Sequence, residues 1–212
     1  MNLNSGKLPK PTLELENLYW QKGYKRIVGI DEVGRGSWAG PMVAAGVILS
    51  DDFQIPENLA DSKLLKPRQR EFFAKIIKNQ SKRFTICEVS VSEINKVGIA
   101  QATSILFRKI ARELNPDFCL IDAFYIKHFS RKKQMAVKGG DRICASIAAA
   151  SIIAKVYRDS LMRKLHFKYP VYGFGKNKGY GTKFHQEAIK KHGFTKIHRT
   201  SYDLAYLLQW RL

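Results

Sequence analysis

Ile27-Val28-Gly29-Ile30-Asp31-Glu32-Val33-Gly34-Arg35-Gly36, followed by Ser37-Trp38-Ala39-Gly40-Pro41, is an apolar run that stops at two adjacent carboxylates and breaks into a glycine-rich turn. An apolar run bounded by glycine reads as a buried strand. Adjacent strand residues point to opposite faces. Asp31 and Glu32 therefore share one task only if the backbone bends at them, and Gly34 and Gly36 allow such a bend. Taken alone, the pair reads as a solvated strand end before an ordinary turn. The rest of the chain supplies the other reading.

Working outward, residues 1–12 carry Gly6, Pro9 and Pro11 and read as a loose arm. A short helix over Leu13 to Trp20 ends at Gly23. Strand one is Arg26 to Ile30, and Met42 to Leu49 is strand two, paired antiparallel across the short gap. Pro67 opens a helix over Arg68 to Lys78 whose stripe is Phe72, Phe73, Ile76 and Ile77. Arg83 to Val89 reads as a strand. Ser90-Val91-Ser92-Glu93 has capping-box spacing, and its helix runs to Leu114, where Asn115-Pro116 stops it. Phe118 to Ile121 is a buried strand ending at Asp122, and Gln134 to Val137 is a further short one. From Asp141 a long alanine-rich helix runs through Asp159. An aromatic, glycine-rich segment from Tyr172 to Gly181 precedes two shorter helices, Thr182 to His192 and Tyr202 to Trp210. Strands first, then strands alternating with helices, predict an α/β domain with a mixed sheet flanked by helices. Four acids then fall at element ends: Asp31, Glu32, Asp122 and Asp141.

The 212 residues, 45% of them hydrophobic, suit one generous domain or a domain with a small appendage. No apolar run reaches membrane-spanning length, and residues 1–10 hold no signal-peptide core. Cys87, Cys119 and Cys144 lie far apart in apolar surroundings and read as buried free thiols in a reducing, cytoplasmic setting. There are 37 Lys and Arg against 18 Asp and Glu, a formal net charge of +19. Such a chain calls for a polyanionic partner, nucleic acid before an anionic membrane surface, since no long amphipathic basic helix favours the latter. Charge alone does not separate an enzyme acting on nucleic acid from a protein that only binds it.

Acids gathered in a very basic protein raise each other's pKa or demand a cation. Oxygen ligands without a His or Cys pattern favour Mg²⁺ or Mn²⁺ over zinc. Two such ions clamp an in-line displacement at phosphorus. The residue types thus point to a metal-dependent nuclease, provided the fold brings them together.

The chain resembles ribonuclease HII, the bacterial type 2 ribonuclease H. The matching pieces are Gly29-Ile30-Asp31-Glu32-Val33-Gly34-Arg35-Gly36; Asp61-Ser62-Lys63-Leu64; Ile121-Asp122-Ala123; Lys138-Gly139-Gly140-Asp141; the run from Ala148 to Asp159; and Lys178-Gly179-Tyr180-Gly181-Thr182-Lys183-Phe184-His185. They are collinear from about residue 26 to 200. The resemblance implies a ribonuclease H-like fold, with an arm over 1–24, a catalytic domain over 25–170 and a helical substrate-binding region over 171–212 packed on it. It implies endonucleolytic cleavage of RNA paired with or embedded in DNA, on the 5′ side of the ribonucleotide, leaving a 3′-hydroxyl and a 5′-phosphate. It places the metal site, for Mn²⁺ or Mg²⁺, on Asp31, Glu32, Asp122 and Asp141. It gives Gly34, Arg35 and Gly36 the sensing of the ribose 2′-hydroxyl, the group that distinguishes RNA from DNA. Tyr180 matches the family tyrosine that packs on the next sugar. Lys63 reads as a phosphate contact, and the protein as a monomer. Ser37-Trp38 and Gly140 depart from the family pattern without removing a ligand.

Plainer readings stand beside these. Asp141 at a helix start reads as an N-cap. Asp159, four residues from Lys155 and from Arg163, reads as part of a helix-surface ion network. Lys155 and Lys183 are plausible phosphate contacts or solvated side chains. His185 and His192 read as polar contacts or surface groups. The run Arg131-Lys132-Lys133 reads as an exposed loop. A non-catalytic basic binding protein accounts for the charge but not for the acids. The sister type 3 enzyme usually has a further N-terminal domain and a Glu as its fourth acid.

Overall fold

The computed structural model describes residues 10–57, 59, 62, 65–204 and 206–208. Most of the arm, together with Asp61, Lys63, Leu64, Gln209 and Trp210, lies outside the described residues. In chain order the elements are α1 (Glu14–Gln21), β1 (Ile27–Val33), β2 (Met42–Ile48), α2 (Pro67–Gln80), β3 (Arg83–Val89), α3 (Val91–Leu114), β4 (Phe118–Asp122), β5 (Gln134–Val137), α4 (Ala145–Lys168), α5 (Phe174–Asn177) and α6 (Lys183–His192).

The sheet has the order β3-β2-β1-β4-β5. The first three strands form an antiparallel meander, and β4 and β5 run parallel to β1. Strand alternation sends successive side chains to two different cores. Val28, Ile30, Met42 and Ala44 meet Leu106, Phe107 and Ile110 of α3. Val43, Ala45 and Val47 meet Ala145, Ala148 and Ile152 of α4, with Phe73 and Ile77 of α2 beyond. A third core, with Ala39, Met162, Tyr172, Phe174, Ile189 and Leu204, seats the C-terminal segment on the end of α4. The result is the α/β architecture expected.

α4 lies directly against the middle of β1. A Cβ placed on Gly29 would stand 2.2 Å from the Ser146 carbonyl carbon and 2.4 Å from the Ile147 nitrogen. Only a hydrogen at that position lets helix backbone touch sheet. The helix starts later than expected, at Ala145 with Cys144 as its N-cap residue, and Asp141 sits in a separate 3₁₀ turn, Gly140–Arg142. Glu16 of α1 satisfies the start of α4, its Oε1 accepting from the Ser146 N–H at 2.7 Å. α3 opens with the expected Ser90–Glu93 capping box but is interrupted by non-helical backbone at Gly98. The helix expected over 202–210 is absent among the described residues, where 206–208 form a single 3₁₀ turn. Tyr202 is tied by its hydroxyl to the Arg35 carbonyl and Leu204 is buried, so tertiary anchoring fixes that segment. Among the described residues no helix is long and apolar enough to cross a membrane. All three cysteines are free and buried.

Candidate active site

Asp31 and Glu32 lie inside β1, not at its end, since the strand runs on to Val33. Their backbone is regular: Asp31 pairs with Ala45 and Glu32 with Ala44 on β2. What changes is the other side. β4 accompanies β1 only as far as Ile30 opposite Ile121. Beyond that, β4 turns its last residue, Asp122, toward Val137 of β5. The parallel strands therefore part at their C-terminal ends and leave a notch, the usual place for a ligand in such sheets. An open strand edge lets neighbouring side chains of both faces reach one space, so no bend is needed.

The pocket at this notch is lined by Asp31, Glu32, Val33, Ser62, Asp122, Ser151, Lys155 and Tyr180. Asp31 points toward α4 and is only 7% exposed. Its Oδ1 accepts from the Glu32 N–H at 2.7 Å. Burial pushes the Asp31 carboxyl well above its usual range, and the charges of Glu32 and then Asp122 add to the rise; bonds from the Ser151 hydroxyl and the Glu32 N–H oppose it. Asp122 is fixed from the other side, its Oδ1 accepting from the Gly140 N–H at 2.8 Å. Ser62 and Ser151 share a hydrogen bond of 3.0 Å at the pocket wall. Lys155 pairs with Asp159 at 2.8 Å, and Asp159 stands 3.7 Å from Arg70. Asp159 and Arg70 are buried, so this is not a helix-surface array, and Arg163 turns instead to Glu71.

Asp141 is buried in its 3₁₀ turn and is not a lining residue of this pocket. Its neighbour Gly140 is the residue that holds Asp122. Among the described residues no three His, Cys, Asp or Glu side chains stand as a metal-holding group. The donor set nevertheless suits a hard divalent cation. It is all oxygen, and Asp31 is a buried carboxylate with two further acids near it, an arrangement that a cation relieves.

The Gly34-Arg35-Gly36 turn follows directly on Val33, a lining residue of the pocket, and its two glycines serve different ends. Gly34 has φ +88°, and a Cβ there would stand 2.1 Å from Nε of Arg158. Gly36 is exposed, with open space where a side chain would project. Arg35 lays its guanidinium over the Phe124 ring at 4.3 Å. Tyr180 faces the pocket from the C-terminal segment and is 37% exposed. The unusual Trp38 covers Gly181, and Ser37 is fully buried, so both are absorbed into packing.

Sequence reasoning missed the residues that hold these loops. Arg158 is fully buried, yet its guanidinium donates to the carbonyls of Pro41 at 2.9 Å, Lys178 at 3.0 Å and Ala39 at 3.2 Å. Arg199, equally buried, donates to Gly40 at 2.9 and 3.0 Å and to Arg35 at 3.0 Å. For Arg158 a signal was present: Ser151 and Ala154, seven and four residues earlier, mark the inward face of the same helix. For Arg199 there was none.

The family model described as ribonuclease HII matches residues 28–205, enclosing every piece of this site. The ribonuclease HII of Thermosynechococcus vestitus is 46% identical over 195 residues, covering 90% of each chain. That of Clostridium perfringens is 43% identical over 211 residues, 95% of this chain and 76% of the other. The ribonuclease HII solved in complex with PCNA from Archaeoglobus fulgidus superposes with a TM-score of 0.75 at 27% identity, covering 86% of this chain and 97% of that one. With three acids in the notch and likeness over nearly the whole length, the chain belongs to the ribonuclease HII family and is a ribonuclease H endonuclease.

Proposed function

We propose that this protein cleaves RNA in RNA/DNA hybrids and single ribonucleotides embedded in duplex DNA, on the 5′ side of the ribonucleotide, with Mn²⁺ or Mg²⁺. The observation that carries the reading is the meeting of Asp31, Glu32 and Asp122 in one notch beside Tyr180. These carboxylates would hold the ions, with Asp141, which follows the glycine that binds Asp122, as the fourth acid. When bound, such ions supply positive charge against the attacking water and the leaving oxygen. Water attacks phosphorus in line, the bond from phosphorus to the 3′-oxygen breaks, and the products are a 3′-hydroxyl and a 5′-phosphate.

Recognition falls to the residues around the notch. The exposed backbone at Gly36 leaves room for a sugar to approach the turn, where backbone groups of Gly34, Arg35 and Gly36 read the 2′-hydroxyl. Tyr180 packs on the adjoining sugar. Lys63 and the general excess of cations hold phosphates. Residues 1–24 serve as an arm, 25–170 as the catalytic domain and 171–212 as the substrate-binding region. The protein works as a cytoplasmic monomer.

The test is a labelled duplex with one ribonucleotide, incubated with Mg²⁺, Mn²⁺ or EDTA, using wild type and Asp122→Asn, beside an all-deoxy duplex. The expected result is a cut 5′ of the ribonucleotide that needs the metal, spares the all-deoxy duplex and is lost in the variant while binding persists. Binding without cleavage under either metal would overturn the reading.

A further inference from the structure

Tyr180 sits on a loop, and its backbone carbonyl is held by a chain of two buried histidines. His185 and His198 are 0% and 2% exposed, with Nε2 to Nε2 at 3.1 Å. His185 Nδ1 lies 3.0 Å from the Tyr180 carbonyl oxygen. At the far end the Thr195 N–H donates to His198 Nδ1 at 2.9 Å.

These contacts fix where each proton resides. A carbonyl only accepts, so His185 carries its proton on Nδ1 and presents a lone pair at Nε2. The Thr195 N–H only donates, so His198 presents a lone pair at Nδ1 and carries its proton on Nε2. The two inner nitrogens then meet as donor and acceptor. Deduced from either end, the arrangement is the same, with one proton on each ring. It runs in one direction: Thr195 N–H to His198, His198 to His185, His185 to Tyr180. Burial lowers the pKa of both rings, and His185 beside it helps bring His198 to about 4, which keeps the pair neutral.

The same segment reaches the other recognition loop. Ala39 forms a β-bridge with His198, and the Arg199 N–H donates to the Trp38 carbonyl at 2.8 Å. The side chain of Arg199, the next residue in sequence, holds the carbonyls of Arg35 and Gly40. One dipeptide therefore grips the Gly34–Gly36 turn with one side chain and the Tyr180 loop with the next.

We propose that His185 and His198 are positioning residues that set Tyr180 against the Gly34-Arg35-Gly36 turn for ribonucleotide recognition, through this directional hydrogen-bond chain. The proposal rests on the function proposed above. Neither ring touches substrate; each acts through the Tyr180 backbone.

The chain makes a prediction that packing alone does not. The side-chain nitrogen of asparagine reaches the place of a histidine Nδ1, and that of glutamine reaches the place of Nε2. At position 185 the essential donor is Nδ1, so His185→Asn keeps the bond to Tyr180 and His185→Gln loses it. At position 198 the essential donor is Nε2, so the order inverts: His198→Gln still holds the His185 proton on Nδ1, whereas His198→Asn removes that donor and frees the His185 ring to turn a lone pair toward the Tyr180 carbonyl, a change of tautomer that the amide of His185→Asn cannot undergo. The experiment measures kcat and KM for cleavage of the single-ribonucleotide duplex by wild type and all four variants, with thermal melting and affinity for an all-deoxy duplex alongside. Expected are falls in kcat/KM of about tenfold or more for His185→Gln and His198→Asn, in line with the sensitivity of catalysis to sub-ångström placement. His185→Asn and His198→Gln stay within about threefold of wild type, and all-deoxy affinity is the same throughout. If Asn and Gln rank alike at both positions, or all four variants fall together, the histidines only fill space and the proposal fails. If one breaking variant does not fold, the order of Asn and Gln at the other position decides, and the opposite order there overturns the proposal. Wild-type protein that binds without cutting overturns the functional reading itself, and this proposal falls with it.

Discussion

Asp31 carries its charge where the fold is least able to hold it: buried, beside two further acids, under a helix. A carboxyl whose folded pKa lies above its unfolded value loses stability as pH rises between the two. Removing that charge should therefore stabilise the metal-free protein. Asp31→Asn is expected to melt a few degrees higher than wild type in EDTA, at about 2–4 °C per kcal/mol for a chain of this size, and to lose cleavage entirely. His198 has the opposite pH dependence. Burial among Tyr172, Phe174 and Phe194, and then the charge of His185, lower its pKa from 6.5 to about 4. The unfolded state then binds the extra proton first, so stability falls as pH drops from about 6.5 toward 4; urea titrations across that range are expected to show it, and His198→Gln to flatten it. Asp31, Glu32 and Asp122 were legible because acids punctuate apolar runs there. The buried arginines were harder to read: Arg158 is marked only by the small residues on its helix face, and nothing local distinguishes an Arg199 facing water from one facing the carbonyls of Gly40 and Arg35. Arg158→Lys tests that difference: a single ammonium cannot span three carbonyls, and a loss of about 3–5 kcal/mol is expected on chemical denaturation.

At the level of elements, capping boxes, prolines and apolar runs located nearly every strand and helix. Apart from the helix expected over 202–210, which is absent among the described residues, the errors were of extent and had tertiary causes. β1 continues through its two acids because β2 keeps pairing with it, which no local pattern reveals. α4 starts after Asp141 because its first N–H groups, on Ala145 and Ser146, are met by the Thr12 carbonyl and by Glu16, more than a hundred residues away. The contact of α4 with β1 at Gly29 gives a direct test. Gly29→Ala forces helix and strand apart and is expected to destabilise by about 1–3 kcal/mol or more. Because Ser151 lies on that helix and Asp31 on that strand, the variant should also cut more slowly at temperatures where it is fully folded.

Over the whole molecule, charge and site act at different ranges. The formal charge of +19 attracts any polyanion, whereas selection of one linkage falls, in the function proposed, to the notch and its turn. Affinity for all-deoxy duplex is expected to fall about 10³-fold or more between ~50 and ~200 mM salt if about six phosphates are neutralised. The preference for the ribonucleotide duplex over it should change far less. The loops that frame the notch are tied together by Arg199 on Arg35, a bond across 164 positions of sequence. Synthesis runs in one direction, so the ribosome releases Asp31 and Glu32 early, and Asp122 later, while the residue that braces the turn beside them is still unmade. A nascent chain thus displays its acids before the bond that braces the neighbouring turn exists, and the complete frame of the notch arrives only once Arg199 has been made.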